Sequence, residues 1–254
     1  MRLRRKSRPR VVITGAAGLI GSILMRNLDA YDCVGVDVRG GRRVQVADVT
    51  DPEQARAAVA GAEIVVDLAA ATGGNVGWPE VDNNIAASLT VLSAAREARV
   101  PRVVVASSNH VTGLYERDQP YASIVAGAYE GLDPTVVPML GAASAVRPDS
   151  PYAVGKAATE AAARYHAETS DLSVVCLRIG TVTRRGRPLQ PRHFATLLTH
   201  GDLVRLVDCA IRAPAQLSFA IVYGVSANTW RFWDLAEARE LIGYDPRDDA
   251  ERLR

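Results

Sequence analysis

Cysteine is scarce. The three residues Cys33, Cys176 and Cys209 are far apart, odd in number and without a C-x-x-C pair. That pattern supports neither a disulfide framework nor a zinc site, and no other metal site is read from the sequence. Cys33 and Cys176 lie in strand-like apolar runs and read as small buried hydrophobes. Such sparing use of cysteine points to a reducing compartment, the cytoplasm. Long apolar runs are also missing. No stretch reaches the length that spans a bilayer, so no membrane is expected as a partner. None follows the basic start of the chain, which is therefore not read as a secretory signal. An excess of one charge is missing too, with a net of +2 over 254 residues. Six of the basic residues (Arg2, Arg4, Arg5, Lys6, Arg8 and Arg10) crowd the first ten positions, and without them the remainder carries −4. A body of that charge is not a basic nucleic-acid binder. Residues 1–10 are read as a solvated, disordered tail.

What is present is ordinary globular material, 48% hydrophobic and 23% charged, enough for one sizeable core. Short apolar runs alternate with longer Ala-rich segments. Strands are read over 11–13, 33–38, 44–47, 64–69, 103–106 and 174–179, and helices over 19–28, 52–60 (Asp51 as N-cap), 83–98 and 151–169. Continuous apolar strands between helices predict an α/β fold, a doubly wound parallel sheet covered on both faces. One segment breaks the rhythm: 114–150 carries Pro120, Pro134, Pro138 and Pro148, and reads as an insertion with at most a short helix, either a functional lid or a mobile loop. The main unit is placed at 11–180. Residues 181–254 give mixed signals and are read as a small substrate-binding region of the same compact unit.

The strongest local signal is Thr14-Gly15-Ala16-Ala17-Gly18-Leu19-Ile20-Gly21, which follows the first strand and opens a helix. That context is what a dinucleotide-binding glycine loop requires. Gly15 permits the tight turn, Gly18 lets backbone approach a pyrophosphate, and Gly21 lets the helix pack closely on the sheet. The helix N-terminus adds free N–H groups and a favourable dipole for the anion. Asp37 ends the second strand, 22 positions after Gly15. A carboxylate there accepts from the adenosine ribose hydroxyls and repels a 2′-phosphate, so NAD is favoured over NADP. Arg39, Arg42 and Arg43 follow closely and offer the opposing argument for NADP. Asp48 and Val49, after the third strand, are candidates to meet the adenine. Asp48 reads equally as a turn residue.

Tyr152 and Lys156 stand four apart in a helical segment, which puts phenol and ammonium on one face. The ammonium favours the phenolate, a general base. Such a pair also occurs as an ordinary surface pair. Ser107-Ser108-Asn109-His110 follows the fifth strand and so lies at the carboxyl edge of the sheet, where ligands bind in such folds. Ser108 is placed to hydrogen-bond a reacting oxygen, and Asn109 and His110 to bind substrate hydroxyls. His166, His193 and His200 lack such placement and read as structural or solvated.

These elements together resemble the extended branch of the short-chain dehydrogenase/reductases, the NAD-dependent epimerase/dehydratase family, from Val11 to about Arg254. The pattern is T-G-x-x-G-x-x-G, a Ser after the fifth strand, then Y-x-x-x-K. The resemblance implies a Rossmann fold, with Tyr152 as catalytic base, Lys156 acidifying it and holding the nicotinamide ribose, and Ser108 orienting the substrate oxygen. It also implies cofactor contacts at Ala17, Leu19, Ile20, Leu68, Ala69, Ala70, Asn84 and Ile179. The finer likeness is to uronate dehydrogenases. It rests on Ser107-Ser108-Asn109-His110, Leu177-Arg178-Ile179-Gly180-Thr181, Ser226-Ala227-Asn228 and Gly243-Tyr244-Asp245-Pro246. That likeness implies substrate contacts from Thr72 and Thr181 and a grip on a sugar carboxylate from Arg192. Arg suits planar, bidentate recognition of a carboxylate. Without the family match, Arg192 reads as a surface residue beside the basic loop Arg184-Arg185-Gly186-Arg187. The span from His110 to Tyr152 is longer than in uronate dehydrogenases, by about one lid-type loop.

The expected reaction is oxidation of a uronic acid at its anomeric carbon to a lactone, with NAD as acceptor. A homodimer or higher homo-oligomer is expected, through the small residues Ala157, Ala158, Ala161, Ala162 and Ala163, although these equally suit the protein's own core. A nucleotide-sugar epimerase or dehydratase shares the same elements, but the 74 residues after Gly180 leave it little room. A non-catalytic cofactor sensor of the same fold is the other alternative. The presence of both Tyr152 and Lys156 argues against it.

Overall fold

A computed structural model describes residues 8–72 and 76–254. Seven parallel strands form one sheet: β1 (Arg10–Thr14), β2 (Asp32–Asp37), β3 (Val44–Val46), β4 (Ile64–Asp67), β5 (Arg102–Ser108), β6 (Ser173–Ile179) and β7 (Phe219–Gly224), in the order β3-β2-β1-β4-β5-β6-β7. Successive strand residues point to opposite faces, and both faces are apolar. Val11, Ile13, Val104, Val175 and Leu177 join the core on one side, while Val12, Val103, Val105, Val174 and Cys176 join it on the other. That double burial is why the strands read as unbroken apolar runs. Each fully buried Val or Leu contributes about 1.5–3 kcal/mol.

The helices that cover the faces are α1 (Leu19–Asn27), α2 (Pro52–Val59), α3 (Trp78–Glu97), α5 (Pro151–Glu168) and α7 (His200–Ile211), with α4 (Tyr121–Ala126), α6 (His193–Thr196) and α8 (Ala236–Ile242) shorter. Asp51 caps α2, accepting from the N–H groups of Glu53 and Gln54. Helix α3 begins at Trp78, five residues before the expected start, because Pro79 is tolerated in a first turn. Of the alanines on α5, Ala163 is fully buried and Ala161 exposed, so the stripe serves the protein's own core in part.

The sheet does not stop at residue 180. β7 pairs with β6 from Val174↔Phe219 to Ile179↔Gly224, and Trp233 and Tyr244 belong to the same core as Val11 and Ile13. Asn228 and Ser226 act as internal ties. Asn228 Nδ2 donates to the carbonyls of Ala195 (3.1 Å) and Leu197 (2.9 Å), and Ser226 Oγ accepts from Thr199 N (3.1 Å). Segment 114–150 is fastened to the body. Leu114 N donates to Arg147 O (2.9 Å), Leu140 exchanges bonds with Phe232 and Asp234, and Tyr121, Ile124 and Leu140 are buried. It forms a wall of the fold in place of a structureless loop.

Cys33 and Cys176 are buried, and burial pushes the Cys33 thiol up to about 11 and raises that of Cys176 as well. Among the described residues no His, Cys, Asp and Glu side chains gather to hold a metal ion, and no helix is long and apolar enough to cross a membrane.

Candidate active site

Strand order reverses between β1 and β4, and a crevice opens at the carboxyl ends of the strands at such a point. Here it is a cleft of about 1020 Å³. One end is lined by Gly15, Gly18, Leu19, Ile20, Gly21, Asp37, Asp48 and Val49, and the other by Ser108, Asn109, His110, Tyr152, Lys156 and Thr181. Leu68, Ala69, Ala70, Thr72, Asn84 and Ile179 line it between them. Of the residues singled out in the sequence, only Ala17 and Arg192 are not part of the lining.

Two glycines are dictated by geometry. Gly15 has φ +64, and a Cβ there would lie 2.6 Å from Leu68 O. A Cβ on Gly21 would overlap Gly15 O and lie 2.6 Å from Ala16 Cα, so the first turn of α1 rests directly on the loop. Thr14 Oγ1 donates to Asp67 (2.6 Å) and accepts from Leu68 N and Ala69 N, which binds the two edges of the crevice together. Gly18 caps α1 with no side-chain bond, leaving the N-terminal N–H groups of the helix for an anion.

Asp37 stands at the far end of this loop. Its carboxylate accepts from Ala17 N (3.0 Å) and Arg39 N (2.9 Å). The backbone of Ala17 thus braces Asp37. Arg43 pairs with Asp32 (2.9 Å), and Arg39 lies alongside Asp37 itself. The carboxylate thus dominates the ribose end, the arrangement suited to NAD. Asn84 lines the cleft between the two ends. It accepts from Ala71 N (2.7 Å) and donates to Ala71 O (3.0 Å), so its polar atoms shape the cleft wall.

At the opposite end, α5 delivers Tyr152 and Lys156 to the cleft beside the end of β5. Ser150 caps the helix, accepting from Ala153 N, and Pro151 opens it. Lys156 Nζ donates to Ala106 O (2.6 Å) and lies 5.8 Å from the centre of the Tyr152 ring. Two ammonium N–H groups remain for other acceptors. Helix α5 is fixed to the sheet by a buried network. Arg178 on β6 grips Glu160 with two bonds (2.9 and 2.8 Å), and Ser107 on β5 donates to the same carboxylate (2.6 Å). Glu160 lies one turn beyond Lys156.

Ser108 Oγ accepts from His110 N (3.2 Å) and keeps its own O–H for a ligand. Asn109 is 2% exposed, and its Nδ2 has no hydrogen-bond partner although it lines the cleft. A buried amide donor left unpaired is costly, which marks it as waiting for an acceptor. His110 Nδ1 lies 2.5 Å from Asp149 Oδ2. Burial would raise the Asp149 carboxyl, but the hydrogen bond and charge of His110 outweigh it and hold it below its ordinary value. In the neutral ring an ionised Asp149 keeps the proton on Nδ1 and leaves Nε2 as an acceptor, whereas the protonated ring donates from both nitrogens. Asp149 is a cleft residue that sequence reasoning misses; 39 residues separate it from His110, and only the fold joins them.

Arg192 stands behind the cleft lining. Its guanidinium is bound by Glu116 through two bonds (2.6 and 2.7 Å), with a third to Thr181 Oγ1 (3.3 Å). It supports the cleft through Thr181 without lining it. His200 Nε2 donates to Thr183 O (2.8 Å), and burial lowers the His166 and His193 imidazoles, in keeping with structural roles.

The chain is similar to known proteins along nearly its whole length. The model of the NAD-dependent epimerase/dehydratase family matches residues 11–201. The chain is 33% identical to an NAD-dependent glucose-6-phosphate dehydrogenase of Haloferax volcanii, covering 94% of each chain. It is 31% identical to an L-arabinose 1-dehydrogenase (NAD(P)(+)) of the same organism, covering 95% of this chain and 97% of the other. Among solved structures, the uronate dehydrogenase of Agrobacterium tumefaciens superposes with a TM-score of 0.80 at 28% identity, covering 97% of this chain and 87% of that one. With a glycine loop at the strand crossover, a carboxylate at the end of the second strand and a Tyr–Lys helix across the same cleft, the chain belongs to the NAD-dependent epimerase/dehydratase family.

Proposed function

We propose that the protein is an NAD-dependent sugar dehydrogenase that oxidises the C1 hydroxyl of a cyclic sugar to the lactone. One observation carries this reading: Ser108, Asn109, Tyr152 and Lys156 meet in the same cleft as the glycine loop, and Asn109 brings to it a buried, unpaired donor. NAD, held by the loop at Gly15–Gly21, by Asp37 and by Lys156, supplies the hydride acceptor. Tyr152 takes the proton of the C1 hydroxyl, and the neighbouring Lys156 ammonium favours the anion so formed. Ser108 donates to the reacting oxygen. Asn109 Nδ2 donates to a ring hydroxyl, His110 Nε2 accepts from another, and the hydroxyls of Thr72 and Thr181 complete the polar wall.

The uronic-acid form of this reading is supported by the Ser-Ser-Asn-His stretch and by the likeness to uronate dehydrogenases. Its carboxylate grip rests on Arg192, which Glu116 already occupies. A second copy of the chain is the partner favoured by the outer face of α5, where Val154 and Tyr165 are exposed.

The test is NADH formation across a panel of aldoses and uronates. Tyr152→Phe should lower turnover at least 1000-fold, about the scale of a lost general base, with NAD affinity unchanged by calorimetry. Full turnover in that variant, or a tightly held NAD that is never consumed, would discard the dehydrogenase in favour of an epimerase-type cycle.

A further inference from the structure

We propose that Glu116 is a specificity-determining residue: it closes the carboxylate subsite, so that the sugar taken is a neutral aldose in preference to the matching uronate. This rests on the sugar dehydrogenase reading above.

The charge distribution around the sugar end carries the argument. Arg192 reaches that end through a lining residue, Thr181. Both nitrogens of its Nε–Nη2 edge are spent on the two oxygens of Glu116. The side chains are 20% and 14% exposed, so water does little to loosen the pair. The third donor, Nη1, reaches only the Thr181 hydroxyl, itself 2.8 Å from Thr196 Oγ1. Among the described residues, the Lys and Arg side chains that line the cleft are Arg39 and Lys156. Arg39 stands at the ribose end beside Asp37, and Lys156 is tied to Ala106 O next to Tyr152. The exposed Arg184, Arg185 and Arg187 follow Val182 but do not line the cleft. The acid at this end is Asp149.

A carboxylate arriving there meets an ionised Asp149 and no uncommitted cation. To recruit Arg192 it must displace Glu116, which then stays behind, mostly buried and unpaired. A neutral sugar has no such conflict, because a hydroxyl or hydrogen at the same position needs only the Thr181 hydroxyl. Leaving a hydrogen-bonded charge unpaired is worth on the order of a hundredfold in binding. That is the expected preference of the wild-type chain for neutral sugars.

The experiment measures kcat/KM on the full chain with NAD, for galactose against galacturonate and glucose against glucuronate. The wild type should favour the neutral member of each pair about a hundredfold. Glu116→Gln is close in shape but presents an amide N–H₂ to the guanidinium, releasing part of its edge and its charge. It should shrink the preference at least tenfold, through a lower KM for the uronates. Glu116→Asp keeps the charge and should keep the preference. Calorimetric titration of the same sugars into NAD-loaded Tyr152→Phe protein reads the discrimination without turnover, and thermal melting reports that each variant is folded. A wild-type preference for uronates, or a preference unmoved by Glu116→Gln in folded protein, overturns the proposal. Binding that discriminates without any NADH formation sinks the dehydrogenase reading and leaves this one standing. If no sugar binds at all, both fall.

Discussion

Replacing Glu160 by Leu removes a buried carboxylate and leaves the Arg178 guanidinium, 1% exposed, with one strong partner. In the intact network Arg178 makes two bonds to Glu160 and one to Tyr223 (3.0 Å), while Ser107 donates to Glu160 from β5. The variant loses three of these four bonds and strands a buried cation. Breaking a buried pair from one side costs about 3–5 kcal/mol. For a chain of this size each kcal/mol moves the midpoint by about 2–4 °C, so the melting temperature should fall by roughly 6–20 °C. Calorimetric melting, checked by urea unfolding with an unchanged slope, measures this directly. The double variant Glu160→Leu/Arg178→Met removes both charges together and should be clearly more stable than the single one, since nothing charged is left unpaired. Because β5, β6 and α5 meet at this point, turnover should fall as well, through the setting of Lys156 one turn away. A single variant within about 1 kcal/mol of wild type would refute the idea that this network anchors the helix.

Other expectations are equally concrete. Gly21→Ala forces a Cβ into the glycine loop; NAD affinity should fall more than tenfold, and the chain should lose about 1–3 kcal/mol by overpacking, both readable by titration and melting. Asp37→Ala removes the carboxylate that opposes a 2′-phosphate. The ratio of kcat/KM for NADP over NAD should then rise at least tenfold, and an unchanged ratio would move the discrimination elsewhere. Asp149 is held below its ordinary value in the folded state, so its contribution to stability is present above the unfolded value near pH 4 and lost as pH falls below it. Asp149→Asn should flatten that part of the acid limb in melting curves recorded between about pH 2 and pH 5.

Particular elements show how far the sequence reaches. The first six strands and the glycine loop are legible because burial on both faces demands unbroken apolar runs and because the loop's glycines recur at fixed spacing directly after the first strand. β7 carries an equally apolar run, Phe219–Gly224, but the stretch between β6 and α7 is irregular apart from the four-residue α6, and α8 after β7 is short, so the strand–helix rhythm that frames the others is weakened there. Segment 114–150 looks structureless because its order comes from partners far along the chain, Leu140 from Phe232 and Asp234. The bonds of Ala17 to Asp37 and of Asn84 to Ala71 are not legible either, because they join residues 20 and 13 positions apart.

By itself the sequence determined the parallel sheet, the nucleotide loop, the acidic ribose residue and the Tyr–Lys helix, all of which depend on contacts within a few residues or on the simple alternation of strand faces. Tertiary structure alone decided the sugar end. His110 meets Asp149 across 39 residues, Arg178 meets Glu160 across 18, and Arg192 meets Glu116 across 76. Charges cancel or stand free according to which partner the fold delivers, and no local pattern along the chain encodes that delivery.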